Sequence, residues 1–247
     1  MINWLTPQIV SLLAAGLWLT VGLTVITSLL SLGVGVLVGA LRLWSRGGFG
    51  AAAALFVETF RNIPALVLIV FWAFAFPNAF DPARRAAIFF DNPFMDRLSL
   101  LTGLSVPWYA LATALGLTLN TSAYIAELFR AGVGTIPREH VDAAQSMGAS
   151  WGVIFGALLI PGGLRAAYPA ITSRLIHNLK NTALASFVSV PEFFGSVSTA
   201  VSRSFMAVEF LTLAAVVYLA LSIGMSAGLR RLERTLYPAR SGETPGV

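Results

Sequence analysis

The feature that most limits the fold of this chain is a long apolar run without a charged residue, over residues 17–41. A helix rises about 1.5 Å per residue, so this run is long enough to cross the ~30 Å hydrocarbon core of a bilayer. Charged residues make up only 11% of the 247 residues, whereas soluble domains carry about 25%. The sequence therefore predicts an integral membrane protein.

Similar apolar runs recur along the chain and predict one membrane domain, residues 1–247, with five spans. The spans lie approximately at residues 17–41, 63–80, 108–128, 166–190 and 208–229. A short helix over residues 6–16 is expected to lie on the membrane surface before the first span. Residues 81–106 mix acids, arginines, prolines and aromatic residues, which predicts an extramembrane loop. Residues 143–164 are a second candidate for the fourth span, since they are uncharged and long enough.

Arginines supply nearly all of the positive charge, because Lys180 is the only lysine. They gather at the ends of apolar runs, as topology signals do, and do not indicate a nucleic-acid partner. If the N-terminus lies outside, the cytoplasmic segments carry Arg42, Arg46, Arg130, Arg138, Arg230, Arg231, Arg234 and Arg240. The outer segments then carry Arg84, Arg85, Arg97 and Arg203. The positive-inside rule therefore predicts an outer N-terminus and a cytoplasmic C-terminus.

Two absences from the sequence narrow the chemistry. The chain has no cysteine, which excludes disulfides and thiolate metal sites, and we predict no metal site. Residues 1–7 have neither a basic region nor a nearby small-residue cleavage site. We therefore do not expect a removable signal peptide.

The predicted fourth span carries a stripe of polar side chains on one helical face, namely Arg174, His177, Asn178 and Asn181, with Lys180 at its edge. A charge at the bilayer centre costs roughly 2.5–3.5 kcal/mol on insertion scales, so such residues face protein or water. They can line a substrate pathway, or they can form bonds between helices and extend to the membrane surface. Pro169 and residues 180–182 also predict a broken helix, which in transporters often exposes backbone groups to substrate.

One segment between apolar runs, residues 137–161, is polar and punctuated by glycine. Because it must lie outside the lipid, it is a candidate surface for a soluble partner. Its spacing resembles the cytoplasmic coupling loop of ABC-importer permeases, whose signature is E-A-A-x3-G-x9-I-x-L-P. Asp142 stands for the glutamate, and the other matching positions are Ala143, Ala144, Gly148 and Pro161, with Leu158 and Ile160 as aliphatic substitutes. The alternative is an ordinary interhelical loop with an amphipathic turn.

Three further motifs extend this resemblance over residues 16–232. They are F-R-N-I-P at residues 60–64, A-Y-I-A-E-L-F-R-A-G at 123–132 and N-L-K-N-T-A-L-A-S at 178–186. With them the chain resembles the polar amino-acid branch of ABC-importer permeases, of the histidine/glutamine/glutamate type. The first and third motifs are most similar to permeases for glutamate and aspartate.

The resemblance implies an all-α membrane protein with the type I ABC-importer permease fold, which has five transmembrane helices and a cytoplasmic coupling helix. The coupling loop then puts residues 143–164 on the cytoplasmic side, which favours residues 166–190 as the fourth span. The ATPase-coupling residues that it implies are Glu139, Asp142, Ala143, Ala144, Gly148 and Pro161. We expect the substrate pathway to comprise Arg61, Asn120, Glu127, Arg174, His177, Lys180 and Asn181.

The resemblance also implies partners at the bacterial inner membrane: ATP-binding cassette ATPase subunits, a second permease copy or paralogue, and a periplasmic amino-acid-binding protein. Asp142 is shorter than the usual glutamate, and Arg138-Glu139-His140 replaces the usual Gly-Gln pair. We expect these departures to affect the choice of ATPase more than the coupling itself.

The sequence lacks a Walker A loop, which needs a lysine followed by serine or threonine. The only lysine precedes Asn181. We therefore expect ATP and Mg²⁺ to bind partner subunits, with no cofactor and no enzymatic activity on this chain.

Two other classes of protein remain as alternatives. A stand-alone secondary transporter or channel could use His177 and Lys180 for proton or ion coupling, but five spans without a second repeat argue against it. An intramembrane enzyme is the least favoured class. His140 and His177 are the only histidines, and a lone histidine in a polar stripe is more often a hydrogen-bonded structural residue than a catalyst.

Overall fold

A computed structural model describes residues 5–44, 47–93, 97, 100 and 107–237. These residues form helices joined by short turns, without a β-strand among them, which confirms the predicted all-α class. Three helices are long and apolar enough to cross a membrane, namely Pro7–Trp44, Trp151–Val188 and Ala207–Leu236. A sharply bent pair, Gly48–Asn62 and Ala65–Ala79, counts as a fourth crossing if it is taken as one span. The number of five spans stays a prediction.

Helix α1 runs without interruption over Pro7–Trp44. The predicted separate surface helix over residues 6–16 is therefore wrong, since no proline or charge interrupts the run that follows it. Gly35 and Gly39 face the central helix α5 (Trp108–Val133). A Cβ on either glycine would lie within 2.8 Å of α5 atoms, so only glycine permits this close approach.

Helices α2 (Gly48–Asn62) and α3 (Ala65–Val70) meet at an angle of 103°. The break falls at Ile63, whose backbone is extended, because the following Pro64 disfavours the helical conformation there. Beyond α3 the chain continues as a π-helical turn, Phe71–Ala75, and a 3₁₀ turn, Pro77–Ala79.

The predicted extramembrane loop over residues 81–106 is partly helical. Helix α4 (Pro82–Arg85) begins where the Asp81 carboxylate accepts a hydrogen bond from the Arg84 amide, and it continues as a π-helical turn over Ala86–Phe90. The sequence missed this helix because its proline lies at the first helical position, where it is tolerated. Residues 94–96, 98–99 and 101–106 of that prediction lie outside the described residues.

Helix α5 lies at the centre of the bundle and packs chiefly against α1 and α8 (Ile160–Asn181). Because neighbouring helices cover it, its buried polar side chains do not meet lipid. They include Asn120, Thr121 and Ser122.

Helix α6 (Arg138–Ser146) is short and follows α5 after a turn. The chain then forms a continuous helical rod, Trp151–Val188, made of α7 (Trp151–Val153), a π-helical turn (Ile154–Leu159), α8 and a 3₁₀ stretch (Thr182–Val188). The rod begins well before residue 166 and includes Pro161 and Pro169. Where the fourth span begins within this rod stays a prediction. At residues 180–182 the helix tightens to 3₁₀ instead of breaking.

Helices α9 (Phe193–Ser204) and α10 (Ala207–Leu236) complete the chain. The fully buried carboxylate of Glu192 caps α9 by accepting hydrogen bonds from the Phe194 and Gly195 amides. It also accepts hydrogen bonds from the hydroxyls of Thr20 in α1 and Tyr218 in α10. One satisfied buried acid therefore ties three helices together.

Candidate functional site: an exposed short helix and a polar cavity

The outer face of helix α6 is mostly polar. Of the predicted coupling residues, Glu139, Asp142, Ala143 and Gly148 are exposed and lie in or directly after α6, and Ala144 is half-buried. Pro161 lies apart from them, in the first turn of α8.

The inner side of α6 is held by an apolar cluster. Val141 and Ala144 pack against buried residues at the end of α5 and the start of the rod, which are Phe129, Val133, Ile154, Phe155 and Leu159. The helix is therefore anchored on one side and free on the other. Two apolar side chains that follow α6 in the chain, Met147 and Trp151, are 82% and 45% exposed. An exposed apolar surface therefore lies next to the polar face of α6.

Gly148 ends α6 with a left-handed backbone, at φ +80°. The Ala149 amide donates to the Ala144 carbonyl at 3.0 Å, and the Gly148 amide donates to the Gln145 carbonyl at 2.9 Å. Glycine adopts this conformation without the steric cost that a Cβ brings. The glycine in the sequence motif thus fixes the direction in which the chain leaves α6.

A cavity of about 410 Å³ lies where the α2–α3 break meets α5 and α8. Its lining residues are Arg61, Asn62, Ile63, Pro64, Ala65, Leu66, Asn120, Tyr124, Arg174, His177, Asn181 and Leu184. The structure thus brings together five of the seven residues predicted for the substrate pathway, namely Arg61, Asn120, Arg174, His177 and Asn181.

The α2–α3 break is held open by side chains of α5. Because the chain turns away at Pro64, the carbonyls that end α2 lack helical partners. Asn120 Nδ2 donates to the carbonyls of Phe60 and Ile63, at 2.9 and 3.2 Å. The Tyr124 hydroxyl donates to the Arg61 carbonyl at 3.1 Å. Tyr124 was missed at the sequence level, since nothing in the local pattern indicates a bond across 63 positions.

Arg174 connects this arrangement to α8. Its Nη2 donates to Asn120 Oδ1 at 2.5 Å, and its guanidinium carbon lies 3.8 Å from the centroid of the Tyr124 ring. Both interactions point the guanidinium at the cavity wall. Arg174 therefore makes a bond between helices and also lines the cavity, and its place in a substrate pathway stays a prediction.

Asn178 makes bonds between helices but does not line the cavity. It is fully buried, its Nδ2 donates to Thr27 and Ser28 of α1, and its Oδ1 accepts from Thr121 of α5. These bonds join three helices and leave no group for a ligand.

The other two predicted pathway residues lie outside the cavity lining. Lys180 is exposed on α8. Glu127 forms ion pairs with Arg42 of α1, at 2.7 Å, and with Arg130 of its own helix, at 2.5 Å. The spacing of Glu127 and Arg130, three residues apart, was the available signal for such a pair.

The cavity has a positive electrostatic character. Among the described residues, its lining includes two guanidinium groups, those of Arg61 and Arg174, but no aspartate or glutamate. The Asn181 side chain adds an amide donor to this lining. Such a lining suits a ligand with one or more carboxylates.

Residues 148–152 have the letter pattern G-x-S-x-G, which in hydrolases marks a nucleophile that follows a strand. Here Ser150 follows α6, and its Oγ accepts a hydrogen bond from the Val153 amide at 3.4 Å. This serine is the cap of helix α7, and its surroundings are not those of a nucleophile elbow.

Comparison with known proteins agrees with this geometry. Residues 31–236 match the family described as "Binding-protein-dependent transport system inner membrane component". The chain is 30% identical over 220 residues to the glutamate transport system permease protein GluC of Corynebacterium efficiens, covering 87% of this chain and 90% of that protein. It is 29% identical over 221 residues to a probable glutamine ABC transporter permease protein, GlnP of Bacillus subtilis (strain 168), covering 88% and 90%.

A solved structure shares the fold. It is described as an amino acid ABC transporter with histidines, and it superposes with a TM-score of 0.71 at 22% identity, covering 92% of this chain and 94% of that chain. This likeness confirms the predicted type I importer permease fold.

Proposed function

We infer that this chain, which belongs to the family of binding-protein-dependent transport system inner membrane components, is the permease subunit of an ABC importer for polar amino acids, with glutamate and aspartate as its substrates. The observation that carries the choice of substrate is the cavity lining. Arg61 and Arg174 can each meet a carboxylate, and an acidic amino acid has two. A basic amino acid would bring its side-chain charge against a lining that is already positive.

The second part of the proposal concerns α6, which we assign as the coupling helix. Two features support this assignment. Val141 and Ala144 anchor the helix on one side, and its exposed side carries Glu139 and Asp142. A separate ATPase subunit, with its ATP and Mg²⁺, docks on this face and moves the anchored cluster when it closes.

The complete importer also contains a second permease copy or a paralogue, and a periplasmic binding protein that delivers the amino acid. The exposed polar His177 and charged Lys180 of α8 support the second permease, since polar and charged groups within a crossing helix avoid lipid. In this arrangement the chain spans the inner membrane with its N-terminus outside and its C-terminus in the cytoplasm, and α6 lies on the cytoplasmic side.

Uptake by the importer in proteoliposomes tests the proposal. The complex is purified through a tag on this chain from its native membrane, reconstituted, and assayed with the binding protein outside the vesicles and ATP inside them. We expect ATP-dependent uptake of labelled L-glutamate, in competition with L-aspartate and much less with L-arginine. Preferential uptake of L-arginine would contradict the substrate assignment, and gradient-driven uptake by this chain alone would favour a secondary transporter.

A further inference from the structure

Five charged side chains from α1, α2 and α5 form one connected ion-pair network, consisting of Arg42, Glu58, Arg61, Glu127 and Arg130. Glu58 lies between two arginines, 3.6 Å from Arg61 and 4.0 Å from Arg42. Arg42 in turn is 2.7 Å from Glu127, which also binds Arg130. Each carboxylate is thus shared by two guanidinium groups.

One end of the network reaches the polar cavity. Arg61 lines the cavity with its side chain, and its own carbonyl is held by Tyr124. The shortest distance from Arg61 to Glu58 is 3.6 Å, longer than a hydrogen bond. An incoming carboxylate therefore competes for Arg61 with a loosely bound partner.

The other end of the network reaches α6. Arg130 lies in the last turn of α5, and its carbonyl accepts a hydrogen bond from the Gly134 amide at 3.1 Å. Phe129 and Val133 of the same turn belong to the apolar cluster against which α6 packs. The end of α5 and α6 therefore pack against the same apolar cluster.

We propose that this ion-pair network transmits occupancy of the cavity to the coupling helix, with Glu58 as the positioning residue that joins its two ends. The proposal rests on the proposed function. When a substrate carboxylate binds Arg61, Glu58 is released and shifts toward Arg42, which weakens the hold of Arg42 on Glu127. By the reciprocity of coupled sites, a displacement of α6 by the ATPase changes the availability of Arg61 to the same extent.

The test is the ratio of L-glutamate taken up to ATP hydrolysed by the reconstituted importer. Glu58→Gln removes the charge and keeps the shape, and we expect this ratio to fall about two- to fivefold, the range for partly exposed ion pairs. Glu58→Asp keeps the charge and should retain most of the coupling. Glu209→Gln, which removes an exposed acid in the first turn of α10, is the matched control and should leave the ratio unchanged.

Arg42→Gln is the second variant, because it interrupts the network at another point and should lower the ratio similarly. Unchanged ratios in both Glu58→Gln and Arg42→Gln, with wild-type uptake intact, would overturn this inference alone. Failure of the wild-type importer to couple uptake to ATP would instead overturn the proposed function on which the inference depends. A fall confined to the network variants supports it.

Discussion

The guanidinium of Arg174 stacks on the ring of Tyr124, with its central carbon 3.8 Å from the ring centroid. Through this contact, and through its hydrogen bond to Asn120, α8 is connected to the α2–α3 break by way of α5. The cavity wall is formed by the α2–α3 break, the side chains of Asn120 and Tyr124, and Arg174. A ligand that draws Arg174 away would therefore loosen the contacts among α2, α5 and α8.

Replacing Asn120 by alanine should destabilise the protein. The substitution leaves two part-buried carbonyls and the Arg174 guanidinium without this hydrogen-bond partner, and an unmade bond costs about 1–3 kcal/mol where the group is buried. We expect the melting temperature in detergent to fall by several degrees. Asn62→Ala is the control, because the Asn62 side chain is exposed and bonds only within α2. Equal melting temperatures for the two variants would contradict this role of Asn120.

The two contacts of Tyr124 can be separated by two substitutions. Tyr124→Phe loses the hydrogen bond to the Arg61 carbonyl but keeps the ring beneath Arg174, whereas Tyr124→Leu loses both. A cation–π contact is worth about 0.5–2 kcal/mol, so we expect glutamate binding to weaken further in Tyr124→Leu than in Tyr124→Phe. Titration calorimetry on the solubilised permease–ATPase complex, without the binding protein, measures this order. The reverse order would show that the ring does not support Arg174.

Two cations of α8 provide a direct comparison. Arg174 lines the cavity and Lys180 does not. Because a charge-assisted hydrogen bond contributes about 1.5–3 kcal/mol, Arg174→Gln should weaken glutamate binding by about 10- to 100-fold. Lys180→Gln should change it little. If Lys180→Gln were the more damaging variant, the position of the binding cavity would be wrong.

Gly148→Ala should impair ATP-driven uptake, because a Cβ at φ +80° costs about 1–2 kcal/mol and redirects the chain after α6. The matched control is Gly156→Ala, at a glycine where an added Cβ meets no atom within 4 Å. Uptake rates in proteoliposomes compare the two. Wild-type rates in Gly148→Ala would contradict a dependence of coupling on the geometry of this turn.

Much of this architecture could be predicted from the sequence where local chemistry is decisive. The uncharged run in α1 predicts a membrane helix, and the resemblance carried by Asp142 and Gly148 implies a coupling helix in this segment. Other features depend on tertiary contacts. The rod beginning at Trp151 was missed, because a proline in a helix is accommodated by neighbouring turns and helices that the sequence pattern does not reveal.

The same distinction applies to the candidate site. The polar stripe of α8 was visible as a periodic pattern, but periodicity could not separate the cavity residue Arg174 from the buried Asn178 or the exposed Lys180. That separation depends on which helices pack against each position. Glu127 has one ion pair of each kind. Its pair with Arg130 is local and follows from the spacing, whereas its pair with Arg42 joins positions 85 residues apart and depends on the fold.

The central claim is that α6 faces the cytoplasm and binds a separate ATPase, and single-cysteine crosslinking tests it most directly. The chain contains no cysteine, so Asp142→Cys introduces a unique thiol on the exposed face of α6. In native membranes we expect a reagent with one thiol-reactive and one photoreactive end to join this residue to a co-purifying nucleotide-binding subunit, in a yield that changes with added ATP. Labelling of Asp142→Cys by a membrane-impermeant thiol reagent from the outer side, without any such crosslink, would contradict the account.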